Sequence, residues 1–181
     1  MKKIIALALL ACLMLSMVAC GGGEPAKKEA EYKLGMGVVV SMDSSKTENA
    51  QVDATVATVV LDKDGKIVAC RIDVAQNKMA VVGGAVDTAK TFESKMELGD
   101  RYGMAGKVDN DGNGVMKEWD AQSAAFSAFV IGKTASQVKG LETKEANGHK
   151  IAVDKELLDA GCSMQITGMM AAIGTACEYA R

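Results

Sequence analysis

Val52-Asp53-Ala54-Thr55-Val56-Ala57-Thr58-Val59-Val60-Leu61 runs into Asp62-Lys63-Asp64-Gly65-Lys66, and Ile67-Val68-Ala69-Cys70-Arg71-Ile72-Asp73-Val74 follows. β-branched residues alternate with small or polar ones on both sides of an Asp-Gly pair. That pattern predicts two antiparallel strands joined by a tight turn. Upstream, Leu34 to Met42 has the same strand character, and the polar stretch from Ser44 to Asn49 reads as the loop between them. The three together predict an early β-meander.

Downstream the period changes. Thr88 to Leu98 carries Phe92 and Met96 among charges and predicts a short helix. Met116 to Ile131 predicts a longer one, because Trp119, Ser123, Phe126 and Val130 fall on one stripe at helical spacing, with Gly132 as its C-cap. Thr134 opens a short helix to Val138. Cys162 to Thr167 reads as a late strand. Gly168 to Ala180 reads as a last helix with Met169, Met170, Ile173, Cys177 and Ala180 facing inward. Strands first and helices after predict an α+β domain: an antiparallel sheet with C-terminal helices packed on it.

The N-terminus has a different logic. Met1-Lys2-Lys3 precedes an apolar run from Ile4 to Ala19, the charged and apolar regions of a signal peptide. The run ends in Leu15-Ser16-Met17-Val18-Ala19-Cys20, which resembles a lipobox with Met17 where Leu is usual. Residues 1–19 are therefore expected to be a lipoprotein signal peptide and Cys20 the lipidated residue; an ordinary secreted protein cut near Ala19 is the alternative. Gly21 to Glu31 is small, polar and charged and contains the only proline, so 20–32 reads as a flexible tether. Residues 33–181 are left as a single domain on the extracytoplasmic face of the cell membrane.

Net charge is −2, and no basic block appears outside the tether, so nucleic acid is not an expected partner. Twelve methionines against few aromatics favour core filling over an adaptable binding surface. Cys70, Cys162 and Cys177 form no CxxC pair and lie in apolar stretches, so buried thiols are expected; a Cys162–Cys177 bridge is the alternative.

Asp62-Lys63-Asp64-Gly65 with its flanking strands, and Ile166-Thr167-Gly168 before the last helix, resemble two motifs of the extracytoplasmic FMN-binding domain family. That family includes flavin-carrying envelope lipoproteins. Its late motif reads Asp-x-x-(Ser/Thr)-Gly-Ala-(Ser/Thr), and a flavin transferase joins FMN to the last hydroxyl through a phosphoester. Here Met164 stands for the Asp, Met169 for the Ala and Met170 for the acceptor. Met170 has no hydroxyl, and Thr167 matches only the motif's first Ser/Thr. The resemblance thus implies a non-enzymatic envelope binding protein linked to envelope electron transfer. It would hold FMN or a related ligand non-covalently, at Thr167 and Gly168, or hold none, and an unidentified envelope protein would be its partner. The alternative is a strand-to-helix corner with Gly168 present for geometry.

Asp109-Asn110-Asp111-Gly112-Asn113-Gly114-Val115-Met116-Lys117-Glu118-Trp119-Asp120 resembles a twelve-residue calcium loop, with Asp closing it as in bacterial dockerins. Asp109, Asp111, Asn113 and Asp120 would ligate through side chains and Val115 through its carbonyl, which suits a hard cation. A calcium-stabilised cell-surface structural or interaction module is the function this implies, and a polar loop is the alternative. Nothing recommends an enzyme: His149 is the only histidine, no GxSxG is present, and Asp53 and Asp73 read as solvated strand residues.

Overall fold

The computed structural model describes residues 31–86, 92–112 and 114–181. The signal peptide and Cys20, all but the end of the tether, and Asn113 of the acidic loop lie outside the described residues.

The fold is α+β. β1 (Tyr32–Ser41), β2 (Asn49–Asp62) and β3 (Ile67–Val82) form an antiparallel meander, and β4 (Ala85–Val86) adds a short edge beyond β3. β1 begins one residue before the expected domain start. Val38 faces Val56 across β1–β2, and Ala57 faces Ile72 across β2–β3, with a bulge between Val60 and Leu61. The β2–β3 turn is held by Asp62, whose Oδ1 accepts the amides of Asp64 and Lys66, each at 2.9 Å. β3 runs past the expected Val74 because Ala75 to Ala80 pair with the start of β2.

One face of the meander is the core: Ala57, Val59, Leu61, Ile67, Ile72 and Val74 are buried. Large aliphatic side chains buried in this way stabilise by about 1.5–3 kcal/mol each. On the other face Tyr32, Leu34, Met36, Val38, Val40 and Met42 are exposed, so Met36 and Met42 do not fill the core as the methionine content suggested.

The helices cover the core face. α1 (Lys95–Leu98) starts later than expected: Phe92 to Ser94 are not helical, because Ser94 makes a capping box with Glu97 and opens the helix there. α2 (Trp119–Phe129) lies on β3 and buries the expected stripe of Trp119, Ser123 and Phe126, with Val130 beyond its end. The C-cap is Val130 rather than Gly132, whose amide donates to the Ile67 carbonyl instead. Thr134 caps α3 (Ala135–Lys139) through a second capping box. After α4 (Lys155–Asp159), α5 (Thr167–Glu178) packs across β1 and β2. Its buried stripe is Met169, Ala172, Ile173 and Ala176, while Met170, Cys177 and Ala180 are only partly buried.

Two segments differ from the sequence reading. β5 (Thr143–Ala146) and β6 (His149–Ala152) form a hairpin that the sequence pattern does not predict. Its turn is Asn147-Gly148, with φ of 49° and 76°, the left-handed pair that a two-residue hairpin turn requires. Conversely, Cys162 to Ile166 is not a strand. The amides of Ser163 and Met164 both donate to Gln122 Oε1 at 3.0 Å, so a side chain takes the place of a strand partner. Gln122 is fully buried, and its Nε2 donates to the Lys117 carbonyl at 2.8 Å and to Met104 Sδ at 3.7 Å.

β1 meets α5 through Gly35 and Gly37. A Cβ on Gly35 would overlap the Ala176 carbonyl oxygen, and one on Gly37 the Ala172 carbonyl oxygen. The backbones touch only because both residues lack a side chain. Among the described residues no helix is long and apolar enough to cross a membrane.

Candidate functional site

Along the core-facing side of β2 the chemistry changes at Thr55. Ala57, Val59 and Leu61 lie under the helices; Thr55, Asp53 and Gln51, in the same phase, extend past the N-terminus of α5. This polar half of the sheet is the floor of a cavity of about 510 Å³. Met104, Met116, Trp119, Met164 and Met169 give it an apolar wall, and Gly148 and His149 bring the β5–β6 turn to its rim.

The floor is built with care for its hydrogen bonds. Ser45 Oγ accepts the Gln51 amide at 3.0 Å and donates to the Gln51 carbonyl at 2.9 Å, fixing the start of β2. Gln51 is only 8% exposed, and its Nε2 donates to Asp53 Oδ2 at 2.7 Å. Asp53 Oδ1 is buried with no hydrogen-bond partner among the described residues. Across the ladder Asp53 faces Gln76, whose Oε1 accepts from Tyr102 Oη at 3.4 Å. Lys95 Nζ rests over the rings of Tyr102 and Trp119, 4.7 and 5.5 Å from their centroids. Asp53 is therefore not a solvated strand carboxylate. Neither is Asp73, whose Oδ1 accepts the Met96 amide at 3.2 Å and so ties α1 to β3.

Glu118 holds the apolar wall in place. Its carboxylate accepts the amides of Met104, Ala105 and Trp119 at 2.9–3.0 Å. Burial opposes its ionisation, but the three N–H donors and nearby Lys107 outweigh that effect and hold the carboxyl below the usual glutamate range.

Thr167 is the first residue of α5 and Gly168 lies on the cavity wall, where a Cβ would stand 3.4 Å from Thr55 Oγ1. No side chain caps this helix among the described residues, and Gly168 and Met169 of its first turn line the cavity. Met170 is partly buried against the core.

The acidic loop is arranged otherwise. Val108 and Val115 bridge its base, Asp109 exchanges backbone hydrogen bonds with Gly112 and Gly114, and Asp109 Oδ1 accepts the Gly114 amide at 3.2 Å. Asp120 sits in the first turn of α2, accepts the Ala121 amide, and lines a separate cavity of about 270 Å³ with Cys70 and Arg71. Among the described residues no three His, Cys, Asp or Glu side chains converge at a metal-sized point, so Asp109, Asp111 and Asp120 are not brought together. Asn110, which has no ligand role in the loop pattern, is buried, and its Nδ2 donates to the Ser163 carbonyl at 2.9 Å, docking the loop beside the large cavity. Cys70, Cys162 and Cys177 are free thiols; burial pushes Cys70 up to about 11 and Cys162 up to about 12.

No family model, curated protein or solved structure matches the chain.

Proposed function

We propose that the protein is a lipid-anchored binding protein of the extracytoplasmic face, which takes a flavin-type ligand non-covalently and performs no reaction on it. One observation carries the reading. The cavity of about 510 Å³ is lined by Gly168 and Met169 in the first turn of α5, and Gly168 with the adjacent Thr167 is the surviving part of the flavin motif. The cavity's volume falls within the range of about 300–1,000 Å³ usual for small-molecule sites. An apolar, methionine-rich wall with Trp119 suits a planar ring, and the polar floor suits the ring's hydrogen-bonding edge. The anchor rests on Cys20 following its apolar run.

Trp119 is the only tryptophan in the chain and lines this cavity, so its fluorescence reports on the site directly. Titration of the purified full-length protein with FMN is expected to quench that emission saturably. Denaturation is expected to release all the flavin, even after co-expression with a flavin transferase, because Met170 offers no acceptor. Unchanged Trp119 emission at saturating FMN would overturn the reading. In-gel flavin fluorescence after denaturation would overturn its non-covalent part and direct attention to Thr167.

A further inference from the structure

β1 carries its large side chains away from the core. Gly35 and Gly37 face α5, while Tyr32, Leu34, Met36, Val38, Val40 and Met42 alternate onto the opposite face and are 46–62% exposed. β2 continues that face with valines: Leu34 pairs with Val60 and Val38 with Val56. Among the described residues α5 is the only helix seated on β1, and it lies on the glycine side. The apolar face is on the side of the sheet away from the large cavity, whose floor is the inward phase of β2. Six side chains of this size, about half exposed, leave roughly 600 Å² of largely apolar surface in one patch, the upper limit of the about 300–600 Å² that a monomer ordinarily shows. The half-buried Val56 and Val60 bring it toward the ~800 Å² per partner of a standard protein–protein interface.

We propose that a second copy of this chain covers this face, the two sheets stacking as the halves of a β-sandwich about a two-fold axis. The composition fits. No charged residue occupies the outward phase of β1, or that of β2 from Val52 to Val60, and Met36, Met42 and Tyr32 are of the types enriched where proteins meet. The rim is polar and carries both signs: Lys63 and Asp64 at one end of the patch, Lys46 and Glu48 at the other, all exposed. A two-fold axis sets a patch against itself, so a rim of one sign would repel its own copy, and a mixed rim does not. A bilayer, the other apolar occupant, calls for a cationic rim, which the carboxylates of Glu48 and Asp64 oppose. The pairing is independent of what the cavity holds.

The test uses the full-length protein in lipid vesicles at large lipid excess, treated with an amine-reactive cross-linker and resolved by mass. The wild type is expected to yield dimers and no larger species, because a two-fold interface closes on itself. Val38→Asp places a carboxylate in the middle of the patch on both copies, where like charges face each other without water. It is expected to weaken the dimer band at least tenfold. Cooperative melting shows that the variant is folded. Met36→Glu, at a position 61% exposed, serves if Val38→Asp does not fold. Single chains alone in the wild type, or a dimer band of equal strength in the variant, would overturn the pairing. So would quenching by brominated lipid of the emission of Met36→Trp in a Trp119→Phe background, which would assign the face to the bilayer.

Discussion

Gly37 of β1 lies so close to the carbonyl oxygen of Ala172 on α5 that no side chain fits between them. The obstacle is backbone, which cannot rotate aside as a side chain could. Gly37→Ala is expected to destabilise the fold by at least the 1–3 kcal/mol typical of overpacking, about 2–10 °C in melting temperature. Thermal unfolding of the variant checks this. A melting curve that coincides with the wild type would mean that α5 is not seated on β1 as described.

Glu118 gives the fold a specific acid sensitivity. Its carboxyl is held below the usual range, so the stability it contributes is fully present above the unfolded value of about 4.3 and is lost as pH falls through the lower folded value. Glu118→Gln is expected to cost about 1–3 kcal/mol at neutral pH, since it weakens the acceptor shared by Met104, Ala105 and Trp119. The gap between wild type and variant should narrow on acidification. Melting temperatures from neutral pH to about pH 3 measure it. A gap that stays constant or widens contradicts the assignment.

Asp120 tests the acidic loop. It accepts the Ala121 amide and lines the smaller cavity, and among the described residues it forms no metal-holding group with Asp109 and Asp111. Asp120→Ala is therefore expected to shift the melting temperature by the same amount in millimolar calcium as in chelator. A calcium-dependent rise in the wild type that disappears in Asp120→Ala would show that all twelve residues close around one ion.

Cys20→Ala should abolish incorporation of a labelled fatty acid, because the thioether anchor cannot form without the thiol. Labelling that persists in the variant would refute the lipid anchor.

The meander was legible because its signals are local: alternation on both sides of Asp64-Gly65 leaves little freedom of register. The same holds for the Trp119 stripe and the Thr134 cap. The β5–β6 hairpin was also written locally, in Asn147-Gly148, but its flanking strands are short and charged, so only the turn signalled it. Cys162 to Ile166 looked like a strand because it is apolar, and nothing near it in sequence reveals that Gln122 supplies its hydrogen bonds. The cavity floor is an intermediate case. Gln51, Asp53 and Thr55 continue the inward phase of Ala57, Val59 and Leu61 with polar residues. Reading the phase through the change of polarity would have placed Asp53 indoors. That Gln76, Tyr102 and Lys95 meet it there depends on tertiary packing alone.

Under the proposed binding role, the buried Gln122 side chain bears on ligand affinity. Its one amide group joins α2 to Met104 and to the backbone of Ser163 and Met164, and both methionines belong to the cavity wall. Moving α2 away from that wall would break these bonds together and strand two amides, at about 1–3 kcal/mol each. The wall is therefore held at one spacing before any ligand arrives. A ligand that fits loses little to ordering the protein, and one a few atoms too thick meets a rigid limit in place of a yielding surface.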